Sequence, residues 1–227
     1  LGGRTSYSDW LLKRMKDYDL RNSRSSFYDL NGSLHMNFGK NRLVLSAYAS
    51  HDEFRFASEV SYAYGSRLGS LNWNYLINSN LASYLTLSYS NYESVKDDIS
   101  STVMQSRVKS GVRYGGMKYR LKYGGLKKQT LDAGFSLNGY QVQPGILSPL
   151  NAVSLVSPKT LEKEQGYEGA VYLNDEVNLN DFISFNVGLR YSAYANVGAG
   201  NVATYMPGVS KDTSAITGVV SYKNGEL

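Results

Sequence analysis

Cysteine is absent from this chain, and proline is scarce, with 4 residues in 227. The lack of cysteine excludes disulfide frameworks, thiolate metal sites and cysteine nucleophiles. Long hydrophobic runs are missing as well, so the sequence offers no candidate for a transmembrane helix. A membrane β-barrel needs no such run, because each barrel strand turns only every second residue toward lipid.

Charge is not concentrated in any one stretch. The net charge of +5 is mild, and the lysine and arginine residues are spread along the chain. Proteins that bind nucleic acid gather such charge on one face or one helix. We therefore expect no nucleic-acid partner.

Signs of catalysis are few. His35 and His51 are the two histidines of the chain, and Asp29, on the same strand face as His35, lies about six residues from it, roughly 20 Å along a strand. No nucleophile elbow and no zinc-protease motif occurs. Residues 198–203 match a dinucleotide fingerprint by letter, but the next residues, 204–208, look like a loop and not a helix. We expect no enzyme, no metal site and no cofactor.

The chain is rich in tyrosine, 20 residues, and glycine, 22 residues, within a two-residue alternation of apolar and polar positions. In the segment 183–194, apolar residues such as Phe185 fall on one face and polar residues such as Asn186 on the other. Successive side chains of a strand point to opposite faces, so this segment predicts a strand with one apolar wall. The segment 167–177 repeats the pattern, and the turn-forming cluster at 178–181 predicts a hairpin.

The same alternation recurs in the segments 28–38, 42–50, 70–75, 84–90, 117–123, 130–138 and 216–222. Short connections at 38–41, 77–80, 124–127 and 178–181 alternate with long ones at about 10–25, 54–63, 92–101, 142–164 and 196–214. Outer-membrane barrels sort their connections in this way, with tight periplasmic turns and long extracellular loops. We therefore predict an all-β fold, an antiparallel up-and-down transmembrane β-barrel segment of about ten strands that each cover roughly 9–11 residues.

Aromatic residues lie near the ends of the predicted strands, which predicts the two aromatic girdles of a membrane barrel. The alternative is that tyrosine is simply common in strands. Those toward the short turns are Phe38, Trp73, Tyr75 and Tyr123, and those toward the long loops are Tyr48, Tyr89 and Tyr191. The polar faces also carry bulky side chains, which a wide, water-containing or plugged lumen accepts more easily than a small barrel does.

Several stretches resemble the TonB-dependent receptor family of outer-membrane transporters. They are residues 3–12, 27–32, 41–43, 46–48, 164–166, 172–176 and 186–191. The most specific is the hairpin in which a strand ends in Asp175-Glu176, a tight turn comes next, and the return strand contains Gly188-Leu189-Arg190-Tyr191. The resemblance extends over nearly the whole chain, residues 1–227, as a partial barrel domain.

The resemblance implies a 22-stranded barrel in the outer membrane of a Gram-negative cell, closed by the protein's own plug domain. Such receptors import scarce nutrients such as iron chelates, cobalamin or glycans, and the TonB–ExbB–ExbD complex supplies the energy through a TonB box. A surface lipoprotein is a further partner that the resemblance leaves open. Since no signal peptide, plug domain, TonB box or terminal barrel strand is recognisable, we expect a piece of a longer receptor.

Two groups of residues are candidates for function. The first, expected to contact the plug from the lumen face, comprises Lys118, Arg120, Lys122, Glu168, Glu176 and Arg190. Solvated lumen charges or a cross-strand ion pair would explain the same residues. The second, expected to contact an external ligand or lipopolysaccharide phosphates from the first long loop, comprises Trp10, Arg14, Arg21 and Arg24. A solvated basic loop is the alternative.

Two other functions remain open at this point. One is a passive, porin-like channel, which would close its barrel without a plug. The other is a soluble antiparallel β protein, such as an adhesin, which would cover its apolar face with a second layer. Exposed apolar side chains would exclude that second layer, and buried ones would contradict the membrane interpretation.

Overall fold

The computed structural model describes residues 1–57 and 59–226, and within that range not the side chains of Tyr7, Ala199, Thr213 and residues 224–226. The strands are β1 (Gly2–Tyr7), β2 (Arg24–Phe38), β3 (Asn41–Phe56), β4 (Val60–Asn78), β5 (Leu81–Asp98), β6 (Ser106–Leu126), β7 (Gln129–Pro149), β8 (Lys159–Thr160), β9 (Glu164–Asn178), β10 (Ser184–Asn196), β11 (Gly198–Tyr205) and β12 (Ile216–Glu226). Short helices α1 (Asp9–Leu12) and α2 (Tyr18–Arg21) and a 3-10 turn (Thr213–Ala215) complete the elements.

The main sheet has ten strands in the order β1-β2-β3-β4-β5-β6-β7-β9-β10, with β8 paired to β7. Every pairing in this sheet is antiparallel. Each strand pairs with the next strand in sequence, except that β7 pairs with both β8 and β9, so the predicted up-and-down arrangement is confirmed. The predicted hairpin is also confirmed, because Asn178 pairs with Ser184 and the register continues to Gly166 and Asn196. Strands β1 and β10 are the two edges of the sheet.

Residues that pair across successive strands form rows that share one face of the sheet. One row holds Leu34, Leu45, Leu71, Leu87, Met117 and Leu137, and we call its side the leucine face. A neighbouring row holds Ser33, Ser46, Ser70 and Ser88, and we call its side the serine face. The sheet thus has the predicted apolar and polar walls.

The leucine face has no covering layer. Leu189 is 80% exposed and Val187 is 67% exposed, and leucines of this face near the other edge of the sheet are also exposed, such as Leu34 at 54%. Among the described residues, the buried hydrophobic side chains are only Ala170 and Ala215. A monomer in water rarely exposes so large a contiguous apolar surface, so lipid or further protein must cover this face.

The rows run obliquely to the ends of the strands. Phe38, the last residue of β2, lies in the row that reaches Leu173, although β9 continues beyond Leu173 to Asn178. The short turns are therefore displaced progressively from one hairpin to the next. Such a stagger is what tilted strands in a barrel wall require.

Most strands are longer than the predicted 9–11 residues, and several predicted loops are wrong for this reason. Strand β3 continues to Phe56 and β4 begins at Val60, so the long connection expected at 54–63 is a short one. Likewise β5 continues to Asp98 and β7 to Pro149, and the expected loop at 196–214 contains β11. The strict alternation of short and long connections therefore does not hold between β3 and β4.

The predicted aromatic girdles need one correction. Trp73 lies on the leucine face near the short turns, where its indole Nε1 donates a hydrogen bond to Asn41 Oδ1 at 2.9 Å. Tyr89 and Tyr191 also lie on this face. Tyr48 pairs with Leu68 on the serine face, so it does not belong to a girdle that faces lipid. Within the described ranges, α1 and α2 are each about one turn long, and no helix has the length and apolarity needed to cross a bilayer.

Candidate functional site

The first candidate surface is a recess of about 600 Å³ on the serine face, in the half of the sheet next to the short turns. Three of the predicted residues, Lys118, Arg120 and Arg190, line it together with Tyr84 and Tyr172. Three cations from strands β6 and β10 thus converge, although β6 and β10 are not neighbours in the sheet. We call this surface the basic recess.

The cations of the basic recess differ in how they are held. Arg120 lies with its guanidinium carbon 4.2 Å from the centre of the Tyr84 ring and Nη1 3.7 Å from Asp132 Oδ2. Arg190 donates from Nη2 to Ser136 Oγ at 3.4 Å and from Nε to Ser192 Oγ at 3.2 Å. Lys118 is exposed, and no ion pair with it occurs among the described residues. Arg120 is therefore fixed, whereas Lys118 offers its charge to whatever enters the recess.

The other predicted lumen residues lie outside the recess. Lys122 is opposite Asp132 but does not line the recess. Arg190 pairs with Tyr172, which leaves Glu168 and Glu176 about 13 Å away in opposite directions along β9. This separation does not fit the alternative explanation, a cross-strand ion pair between Arg190 and these glutamates.

Glu168 has partners of its own on the serine face. Asn138 Nδ2 and the Tyr140 hydroxyl donate to Glu168 Oε2 at 3.5 and 3.4 Å. The Tyr114 hydroxyl donates in turn to Asn138 Oδ1 at 2.9 Å. This chain of polar contacts connects three strands and holds the carboxylate against the wall. Glu176, in contrast, is exposed.

The predicted residues of the first long loop do not form one site. Arg14 stacks on Trp10 at 5.5 Å, while Arg21 stacks on the neighbouring Tyr18 at 5.7 Å. Arg24 belongs to β2 instead of the loop, and its Nε lies 4.0 Å from the carboxylate of Asp9, which is 7% exposed. The basic side chains of this loop thus mainly contact the loop itself.

A second candidate surface was not predicted, and it lies on the serine face in the half of the sheet away from the short turns. We call it the aromatic cluster, and it consists of Phe54, Phe56, Tyr62, Tyr64 and Tyr92. The rings of Tyr62 and Tyr64 lie 6.5 Å apart at 7°, and those of Tyr64 and Tyr92 6.5 Å apart at 15°. The Phe54 and Phe56 rings are 6.5 Å apart at 30°.

The aromatic cluster can receive a ligand because its rings are not covered. Phe54, Phe56 and Tyr92 are 40–42% exposed. Lys96 Nζ lies 6.0 Å from the Tyr62 ring centre, which places one cation at the border of the cluster. Flat, weakly polar rings can stack against a cyclic ligand. The charge of Lys96 is offset by Asp52, which pairs with Tyr64 on the same face.

A signal for the aromatic cluster is present in the sequence. Phe54 and Phe56 are two residues apart, as are Tyr62 and Tyr64, and that spacing places each pair on one strand face. The alternation nevertheless predicts a loop there, because the apolar positions fall on the opposite parity from Leu43 and Leu45. In the structure β3 and β4 continue through this segment, but their apolar side chains lie on the serine face there and no longer on the leucine face.

The residues considered for catalysis do not come together. His35 lies on the serine face with Nε2 3.2 Å from Ser33 Oγ, whereas His51 lies on the leucine face against the Tyr28 ring. Asp29 is 3% exposed and accepts from Arg4 Nε at 2.8 Å. Among the residues that the structure describes, no group of three histidine or acidic side chains could hold a metal ion.

Comparison with known proteins gives a match in fold. No protein-family profile and no curated protein sequence matches the chain. The copper transporter OprC is similar in structure with a TM-score of 0.64 and 12% identity, over 79% of this chain and 30% of that one. BauA, the ferric preacinetobactin receptor from Acinetobacter baumannii, has a TM-score of 0.58 and 12% identity, over 77% of this chain and 34% of that one.

These likenesses concern the fold, since the identities are low. The chain spans about a third of the length of either protein. The first of these proteins is a copper transporter and the second a ferric preacinetobactin receptor.

Proposed function

We propose that the chain is part of the barrel wall of a TonB-dependent receptor that imports a scarce nutrient across the outer membrane. The observation that carries the proposal is the exposed leucine face, opposite a polar face, on an up-and-down sheet. In hydrocarbon every backbone group needs a partner within the protein, so the edges β1 and β10 need strand partners, which further strands of a longer receptor would supply. The resemblance of the β9–β10 hairpin and the fold of OprC and BauA support the family.

The basic recess is the proposed contact for the receptor's own plug domain. Carboxylates of a plug would pair with Lys118 and Arg190, because charge-assisted hydrogen bonds are strong where water is partly excluded. Arg120 is already held by Asp132 and Tyr84, so it fixes the shape of the recess. The TonB–ExbB–ExbD complex would act on the plug and not on this wall.

The aromatic cluster is the proposed contact for the imported ligand. The cluster lies in the half of the sheet opposite the turns at 39–40, 79–80 and 127–128. The tight turns of outer-membrane barrels are periplasmic, so in this proposal the cluster is on the extracellular side. The stacked rings suit a cyclic or aromatic ligand, such as an iron chelate with aromatic groups.

The test uses the full-length protein that contains this segment, with a ferric catecholate chelate, cobalamin and a neutral oligosaccharide as probes. We expect the variant Y64A to weaken binding of the chelate about 3–10-fold, which corresponds to a ring contact of about 0.5–1.5 kcal/mol. The control Y48A removes a tyrosine from the same face outside the cluster and should leave binding unchanged. Equal losses in both variants would contradict a ligand contact at the cluster.

A second experiment separates active import from the passive channel. Uptake of the bound probe is measured in cells with and without TonB. An import receptor requires TonB, whereas a porin-like channel admits the probe equally in both strains. Recovery of the full-length protein from the aqueous fraction without detergent would exclude both membrane functions.

A further inference from the structure

Along the strands, away from the short turns, the rows of the leucine face change from apolar to polar residues. The row of Leu71, Leu87 and Met117 is followed, away from the short turns, by a row of Gly69, Tyr89, Gly115 and Gly139. Tyr89 is 54% exposed, because glycines on both neighbouring strands leave its ring uncovered. An exposed tyrosine at this point is typical of the boundary between hydrocarbon and headgroups.

The next row on the same face is polar and basic. It contains Arg67, Asn91, Arg113 and Gln141. Both arginines are exposed and flank Asn91, whose Oδ1 accepts from Arg113 Nε at 3.2 Å. This row lies about 7 Å beyond Tyr89 along the strands, and the two arginines are about 10 Å apart across them.

A recess of about 290 Å³ adjoins this row. Its lining includes Lys109, Arg113 and Lys163 and, as the carboxylate among them, Glu93. Asn91 Nδ2 donates to Glu93 Oε1 at 3.1 Å, so that carboxylate is directed to Asn91. The recess therefore presents an excess of positive charge beside Arg67.

We propose that Arg67, Arg113, Lys109 and Lys163 form a binding site for the phosphate groups of outer-leaflet lipid headgroups, such as those of lipid A. The site is continuous with the lipid-facing rows, and the headgroup layer begins where the hydrocarbon ends. The planar guanidinium fork matches phosphate geometry, and lysines add point charge. The proposal rests on the proposed membrane orientation and adds a specific lipid contact on the outside of the wall.

The experiment measures the unfolding temperature of the full-length protein in detergent as lipid A is added. We expect phosphorylated lipid A to raise the unfolding temperature of the unaltered protein and dephosphorylated lipid A to have much less effect. The double variant R67Q/R113Q should lose the shift. The control R42Q, on the serine face near the short turns, should keep it. Added salt should reduce the shift, because exposed charges are screened.

Three results would overturn the site. They are an undiminished shift in R67Q/R113Q, an equal shift with dephosphorylated lipid A, and an equal shift with inorganic phosphate alone, which would indicate a site for a free anion. Should R67Q/R113Q fail to fold, the single variants R67Q and R113Q should each reduce the shift, and an undiminished shift in both would also contradict the proposal. All these results leave the receptor function standing if the protein remains in the outer-membrane fraction, whereas its absence from that fraction removes both proposals.

Discussion

The half of the sheet next to the short turns and the half away from them use their two faces in opposite ways. Near the short turns the leucine face carries Leu43 and Leu45, and the serine face of the same strand carries Arg42. Farther along β3 the leucine face carries Glu53, and the serine face carries Phe54 and Phe56. A strand in lipid must be apolar outside, but a strand that has left the membrane is free to be charged outside and aromatic inside.

The largest expected difference between the two halves is the cost in folding free energy of an arginine substitution on the leucine face. L189R places a charge on the exposed apolar surface of β10 and should cost roughly 2–4 kcal/mol of folding free energy at mid-membrane. A63R, on the same face beyond the apolar rows and opposite Glu53, should cost at most about 0.5 kcal/mol, as for a surface substitution in water. Urea unfolding of the full-length protein in lipid vesicles measures both. Similar costs would contradict the boundary between the halves.

Removal of a ring from the aromatic cluster should have a smaller effect on stability. Y64S loses the stacking with Tyr62 and Tyr92, each pair contributing about 0.5–1.5 kcal/mol. Y64F keeps the ring and should keep the stability within about 0.5 kcal/mol. The same vesicle unfolding assay applies. A loss in Y64F as large as in Y64S would assign the effect to the hydroxyl and not to stacking.

Two cross-strand ion pairs allow a finer comparison of the halves. Arg107 contacts Asp97 with two hydrogen bonds of 2.6 Å in the half away from the turns, whereas Arg120 lies 3.7 Å from Asp132 near the turns. We expect double-mutant cycles to give about 0.5–1 kcal/mol for the first pair and less for the second, because both are partly exposed. A larger coupling energy for Arg120 and Asp132 would reverse this ranking.

The smallest expected effect concerns acid and the connection between β11 and β12. Hydrogen bonds from the Ser214 hydroxyl and from the amides of Ser214 and Ala215 lower the pKa of Asp212. The folded state therefore gains stability that is fully present above the ordinary aspartate pKa of about 3.9 and is lost as the pH falls through the lower folded value. Amide shifts of Ser214 and Ala215 should follow this titration, and D212N should abolish the pH dependence. An unaltered titration in D212N would assign it to another group.

The sequence predicted those elements in which local pattern and environment agree. The β9–β10 hairpin has uninterrupted alternation and a turn-forming cluster, and the two strands pair as a hairpin, as predicted. The prediction of a loop at 54–63 was wrong because the aromatic residues Phe54 and Tyr62 lie on the strand face opposite to that of Leu43 and Leu71. The alternation within one strand cannot show that the apolar side chains move from one face of the sheet to the other. The basic recess was predicted only in part, since Arg190 lies beside residues from β6 through a register that spans several strands.

The sequence by itself determined that this protein forms amphipathic antiparallel strands, because side-chain alternation and turn residues act over a few neighbouring positions. Only the tertiary structure decided how far each strand extends, which rings and cations meet on the serine face, and where the leucine face changes from apolar to basic. Those features depend on the stagger between strands, which places residues far apart in the chain side by side.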